Sequence, residues 1–200
     1  MFRGVIFDLD GTIMDSFEPR ISAWQEALAT HGVRVPRESI APLIGTPGID
    51  LASRFVKEAE QVEIDEERIF SRFIPALKLF PDVEETFGLL ENMNVKHVVV
   101  TSSRRKLVDS LNFRLGSAIT IDDVARGKPD LEPYLKAMEK MSTTPADTLV
   151  VGDSSVDFIP SRRMSIMSVQ VTHGRLVERF ADVLIREIGE IPALIEGMNR

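Results

Sequence analysis

Two aspartates, Asp8 and Asp10, stand one residue apart directly after the short apolar run Gly4-Val-Ile-Phe7, and Gly11-Thr12 follow them. Thr101-Ser102-Ser103 closes a second apolar run, and Gly152-Asp153, with Asp157 just beyond, closes another. Gly127-Lys128-Pro129 lies a short distance after a third. A carboxylate can attack phosphorus and carry it as an aspartyl phosphate, a role that suits Asp8. It reaches a phosphate dianion only when a cation screens the repulsion. Oxygens from Asp8, Asp153 and the backbone carbonyl of Asp10 make a hard donor set that suits Mg²⁺. The Asp10 side chain is then free as general acid toward the leaving oxygen and as base toward water. Thr101, Ser102 with its backbone N–H, and Lys128 can hold the equatorial phosphoryl oxygens. Gly11 permits a tight turn and close approach of a ligand. Asp153 has a second possible duty as a helix cap. Asp157 is placed behind these groups, to hold either Lys128 or a metal-bound water. Together they describe a site for an anion and a divalent cation.

Such residues act together only if the fold gathers them on one edge. Five apolar runs read as strands covered on both faces, because they are rich in Val and Ile and barely alternate. They are Gly4–Phe7, Val98–Val100, Ala118–Ile121, Leu149–Val151 and Met167–Val171. Helical stripes lie between most of them, such as Val83, Phe87, Leu90, Met93 and then Leu131, Tyr134, Leu135, Met138. This alternation predicts an α/β, doubly wound parallel sheet with a Rossmann-like core, whose ligands bind beyond the carboxyl ends of the strands. Residues 16–79 break the rhythm. They hold only helical periods: Ile21, Trp24, Leu28, then Ile49, Ala52, Phe55, Val56, then Ile69, Phe70, Phe73, Leu77. A last edge strand at Ala181–Ile185 and a helix over Ile188–Met198 close the chain.

The 200 residues carry 24 basic and 31 acidic side chains, a formal charge of −7, and no cysteine. The length suits one sizeable domain with an insertion. The acidic balance gives no reason to expect nucleic acid or an anionic membrane as partner. Without cysteine there are no disulfides, thiolate zinc sites or thiol nucleophiles. The three histidines, His31, His97 and His173, are scattered, which disfavours a histidine metal centre. No apolar run approaches the roughly 20 residues of a membrane span. A carboxylate by the eighth residue disfavours a signal peptide, so a cytoplasmic location is expected.

The sequence resembles the haloacid dehalogenase-like phosphohydrolases, in their phosphoglycolate phosphatase and β-phosphoglucomutase-like branch. The resemblance rests on Asp8-Leu-Asp10-Gly-Thr12, Thr101, Gly127-Lys128-Pro129, and Gly152-Asp153 with Asp157, in that order. Asp15-Ser16, Phe80-Pro81, Tyr134 and Gly174 add to it. It implies a catalytic core of residues 1–15 and 80–200 with a small helical cap of residues 16–79. It implies a Mg²⁺-dependent phosphatase of a small phosphorylated metabolite, phosphoglycolate first, acting as a monomer or weak homodimer. The alternatives are a β-phosphoglucomutase-type isomerase and a non-catalytic binding module. Two places depart from the family pattern. Asp82 stands where a glycine is usual, and Phe158–Ser165 replaces an alanine-rich stretch, whose Pro160 is tolerated if it lies in a helix's first turn. In the cap, Arg54 either meets a substrate carboxylate or faces solvent. The loop Gly45-Thr-Pro-Gly48 either reads the non-phosphate end of the substrate or merely connects helices.

Overall fold

The computed structural model describes residues 1–113 and 115–199. Six parallel strands form one sheet in the order β3-β2-β1-β4-β5-β6. They are β1 (Gly4–Phe7), β2 (Lys96–Val100), β3 (Ala118–Ile119), β4 (Thr148–Gly152), β5 (Met167–Val171) and β6 (Val183–Ile185). The chain runs outward from β1 through β2 to β3, then returns to place β4 on the other flank of β1. A crevice therefore opens beyond the carboxyl ends of β1 and β4, where the winding reverses. Phe7 lies level with Val99 of β2 and Val151 of β4, so the residues that follow these strands emerge side by side.

Successive strand residues face opposite sides, and both sides are buried. Val5, Phe7, Val99, Leu149 and Val151 pack with the helices α5 (Val83–Asn92) and α9 (Ile191–Met198) in one core. Ile6, Val98, Val100 and Val150 meet Tyr134, Ala137 and Met138 of α7 (Glu132–Met141) in the other. Leu135 was expected in that stripe but points to solvent, because α7 turns Tyr134, Ala137, Met138 and Met141 inward. The third strand is shorter than Ala118–Ile121. Thr120 caps a 3₁₀ turn in reciprocal bonds with Asp123, which draws the backbone out of the sheet.

Between β1 and α5 come four helices: α1 (Phe17–Thr30), α2 (Arg37–Ile40), α3 (Gly48–Ala52) and α4 (Ala59–Phe70). A helix was expected over Ile69–Leu77. Instead α4 ends at Phe70, and Ile74–Ala76 forms a 3₁₀ turn, because Pro75 has no N–H to continue an α-helix. The start of α4 escaped the periodic pattern because Glu63 and Glu66 share its buried face with Val62 and Ile69. Ile49 is exposed because α3 is too short to sustain the stripe expected of it. The strands of chain that leave and re-enter the sheet domain pair with each other. Met14 and Leu79 form an antiparallel bridge, flanked by hydrogen bonds from Asp15 N to Lys78 O and from Phe80 N to Ile13 O.

The remaining helices are α6 (Arg105–Asp109) and α8 (Ser155–Met164). Pro160 lies inside α8 and not in its first turn, so the Val156 carbonyl loses its intrahelical donor there. Asp82 precedes α5, and its Oδ2 accepts a hydrogen bond of 2.6 Å from Gly189 N, tying the helix start to the C-terminal segment.

Candidate active site

Asp8 follows β1, and its backbone N–H still bonds to Val151 O, so the strand register fixes where its carboxylate points. Oδ1 lies 2.5 Å from Lys128 Nζ, and Oδ2 accepts a 3.0 Å bond from Thr12 Oγ1. The Lys128 ammonium also donates to Asp157 Oδ1 at 2.7 Å, and Tyr134 Oη approaches the same oxygen at 3.4 Å. Lys128 is only 1 % exposed. Burial opposes its charge, but Asp157 and Asp8 outweigh that and hold its pKa well above the usual lysine value. Asp157 lies on α8 beside Gly152, where an added Cβ would stand 2.5 Å from its Oδ2. Gly11 is a further close approach. Its φ is +81°, and a Cβ there would come within 2.5 Å of Asp153 Oδ2.

Asp10 is held differently. Ser16 Oγ (2.7 Å) and Arg20 Nε (3.0 Å) donate to Oδ1, while Ser103 Oγ (3.0 Å) donates to Oδ2. Ser16 precedes α1 but makes no capping bond with its side chain, which turns to Asp10 instead. Arg20, one turn into α1, also reaches Glu66 of α4 at 3.2 Å and Ser103 at 2.5 Å. Its guanidinium lies over the Phe70 ring, 3.6 Å from the centroid. Burial alone would raise the Asp10 pKa, but Arg20, Ser16 and Ser103 hold it below the usual carboxylate value. Glu66, 2 % exposed, is pushed by burial up to about 7 despite Arg20.

A cavity between the helical insertion and the sheet is bordered by Asp8, Asp10, Thr101 and Ser102 on one side. Trp24, Glu63, Glu66 and Glu67 face it from α1 and α4, and Arg104 closes its rim. Thr101 Oγ1 accepts from Ser103 N at 3.0 Å, which turns the segment after β2 across the crevice. Ser102 Oγ donates to Gly45 O at 2.8 Å, so the loop Gly45–Gly48 rests on the strand ends and borders the cavity. Arg54 is exposed and borders none of it. Sequence reasoning did not find Arg20, Glu63, Glu66, Arg104 or Arg175. For Arg20, Glu63 and Glu66 the available signal was charge on the otherwise apolar faces of α1 and α4; Arg104 and Arg175 lie outside both helices.

Asp8, Asp153 and Asp157 can each bring a carboxylate oxygen within 4.8 Å of the others. Burial raises the pKa of Asp8 well above its usual value, with Asp157 and Asp153 adding to the rise against Lys128. Burial likewise raises Asp153, to about 6, although Arg175 opposes it from 3.0 Å. The three carboxylates form a confined set of oxygen donors, with the Lys128 ammonium bonded to two of them and Arg175 to the third. That donor chemistry fits a hard divalent cation, and Asp8, Asp153 and the Asp10 carbonyl are the groups that would hold it.

The profile of the haloacid dehalogenase-like hydrolase family matches residues 5–171. A phosphoglycolate phosphatase from Agrobacterium fabrum is 29 % identical, across 96 % of this chain and 92 % of its own. A pyrophosphatase PpaX from Bacillus cereus is 28 % identical, across 98 % and 97 %. The crystal structure of a hydrolase from Pseudomonas syringae shares the fold with a TM-score of 0.89, at 24 % identity over 98 % of this chain and 99 % of that one.

Proposed function

This chain belongs to the haloacid dehalogenase-like hydrolases, and from that premise we propose that it is a Mg²⁺-dependent phosphoric monoester hydrolase acting on a small phosphorylated metabolite. The observation that carries the reading is the buried Asp8 carboxylate, clamped by Lys128 and Thr12, bordering one cavity with Asp10. Asp8 attacks phosphorus, the bond from phosphorus to the leaving oxygen breaks, and that oxygen takes a proton from Asp10. Water then attacks the aspartyl phosphate and gives its proton to Asp10. The bond between phosphorus and the Asp8 oxygen breaks, releasing inorganic phosphate, freeing the Asp8 carboxylate and leaving Asp10 protonated for the next leaving group. When bound, Mg²⁺ supplies the positive charge that lets a dianion approach Asp8. Thr101, Ser102 and Lys128 hold the phosphoryl oxygens. Arg20, Ser16 and Ser103 stabilise Asp10 in its ionised form, the form that the water step uses.

Residues 16–79 serve as a cap over this site. Phosphoglycolate, the substrate of one named relative, is the first natural compound to assay. The test is release of inorganic phosphate from p-nitrophenyl phosphate with Mg²⁺, by the native chain and by Asp8→Asn. The native chain turns over and the variant does not, with matching circular dichroism spectra. A variant that keeps a tenth of the native kcat would remove Asp8 as nucleophile.

A further inference from the structure

The far wall of the cavity, away from Asp8, is built from carboxylates and from arginines that are already engaged. Each nitrogen of the Arg20 guanidinium meets an acceptor: Nε on Asp10, one terminal nitrogen on Glu66, and the other on Ser103. Arg104 is equally occupied, with Nε 2.9 Å from Glu67, one terminal nitrogen 3.2 Å from Glu63 and the other 3.3 Å from Asp122. On that wall three carboxylates, Glu63, Glu66 and Glu67, border the cavity, and both cations, Arg20 and Arg104, are committed to them and to Asp10, Ser103 and Asp122. A second anionic group on a substrate would meet this excess of negative charge with neither guanidinium uncommitted. Burial already raises both Glu66 and Glu67, so the wall resists even its own negative charge.

Trp24 provides an independent observation. It borders the same cavity and is 4 % exposed, and its indole N–H donates to no acceptor among the described residues. No fully enclosed side-chain nitrogen or oxygen among those residues lacks a partner. This N–H therefore retains access, and the cavity is the space that Trp24 borders. A free donor and an aromatic face beside carboxylate acceptors form a surface for a ligand that both gives and accepts hydrogen bonds.

Building on the phosphatase reading, we propose that Glu63, Glu66, Glu67 and Trp24 select phosphate monoesters whose leaving group carries hydrogen-bond donors, hydroxyl or ammonium, and no second anion. On this basis phosphoglycolate and pyrophosphate are poor substrates. Five compounds assayed with Mg²⁺ test it: p-nitrophenyl phosphate, glycerol 3-phosphate, phosphoethanolamine, 2-phosphoglycolate and pyrophosphate. Turnover of p-nitrophenyl phosphate checks the phosphatase reading alone, and its absence would overturn that reading and this one with it. With that control active, kcat/KM for glycerol 3-phosphate or phosphoethanolamine should exceed that for either compound with a second anionic group at least tenfold. The glycerol and ethanolamine arms then separate a hydroxyl from an ammonium as the recognised donor. Glu67→Gln releases Arg104 Nε, and Glu67 is exposed enough for the variant to fold. It should raise the preference for phosphoglycolate over glycerol 3-phosphate about fivefold, through KM more than kcat. A native preference for phosphoglycolate or pyrophosphate would overturn the proposal, as would a ratio that Glu67→Gln does not move.

Discussion

Lys128 lies enclosed between Asp8 and Asp157, and its single charge serves both. Removing one member of a buried ionic set leaves the others unpaired, at a cost of about 3–5 kcal/mol. Lys128→Met should lose stability on that scale at pH 7.5 in urea unfolding. The loss should shrink as pH falls and the abandoned Asp8 carboxylate takes up a proton. Equal stability of variant and native chain at pH 7.5 would show that the clamp contributes nothing to folding. The paired aspartates divide differently. Asp10→Asn removes the acid and the base, and should cut kcat by about 10²–10⁴-fold. It should disturb Mg²⁺ affinity far less than Asp153→Asn, because only the Asp10 backbone would face the ion. Calorimetric titration showing equal losses would contradict that division. Asp8, Asp10, Lys128 and Asp153 were legible in the sequence, since Asp8 directly follows an apolar run and the other three stand beside glycine at or shortly after the end of one. Arg20 and Glu66 were not, because a charged residue on a helix ordinarily faces solvent and 46 positions separate the two.

Among the elements, the strands were the most legible, since β1 and β5 have the bounds that their Val- and Ile-rich runs predict. Helix α4 was the least, because its buried face carries carboxylates and a periodicity search weighs only apolar residues. Those carboxylates give α4 a pH signature. Glu66 has a pKa of about 7 in the folded chain against a usual 4.5, with burial as the main cause. The folded state therefore binds this proton more tightly than the unfolded state. The stability it confers is full below about pH 4.5 and is lost as pH rises through about 7. Glu66→Gln abolishes that slope, so the native chain's advantage over the variant should be greater at pH 5 than at pH 7.5. The difference should be on the order of 1–3 kcal/mol in urea unfolding. Parallel stability profiles for the two proteins would show that Glu66 does not titrate in this range. In the loop Gly45–Gly48, the sequence left a reading role and a plain connection equally open. The bond from Ser102 Oγ to Gly45 O seats it on the segment that follows β2, which a local pattern has no means of revealing.

For the molecule as a whole, the closeness of the helical insertion to the sheet domain governs what can react. Arg20 of α1 bonds to Asp10 and Ser103, and Arg104 bonds back to Glu63 and Glu67 of α4. The two bodies are thus latched by charge on both sides of the cavity. The cavity itself encloses about 50 Å³, room for a few waters. On the proposed reaction a phosphate ester would part the insertion from the sheet to enter, and the paired linkers at Met14 and Leu79 would carry that motion. Reclosure excludes water and strengthens each electrostatic contact around the phosphoryl group. A small ester permits reclosure, whereas a phosphorylated side chain on a peptide keeps its backbone wedged between α4 and the strand ends. The native chain should accordingly hydrolyse small phosphate monoesters with kcat/KM at least tenfold above phosphopeptides, measured by phosphate release at matched Mg²⁺. The advantage should narrow in Arg104→Ala, which releases one latch and leaves Asp8, Asp10 and Lys128 untouched. Phosphopeptides hydrolysed as efficiently as small esters by the native chain would mean that closure of the insertion does not gate the reaction.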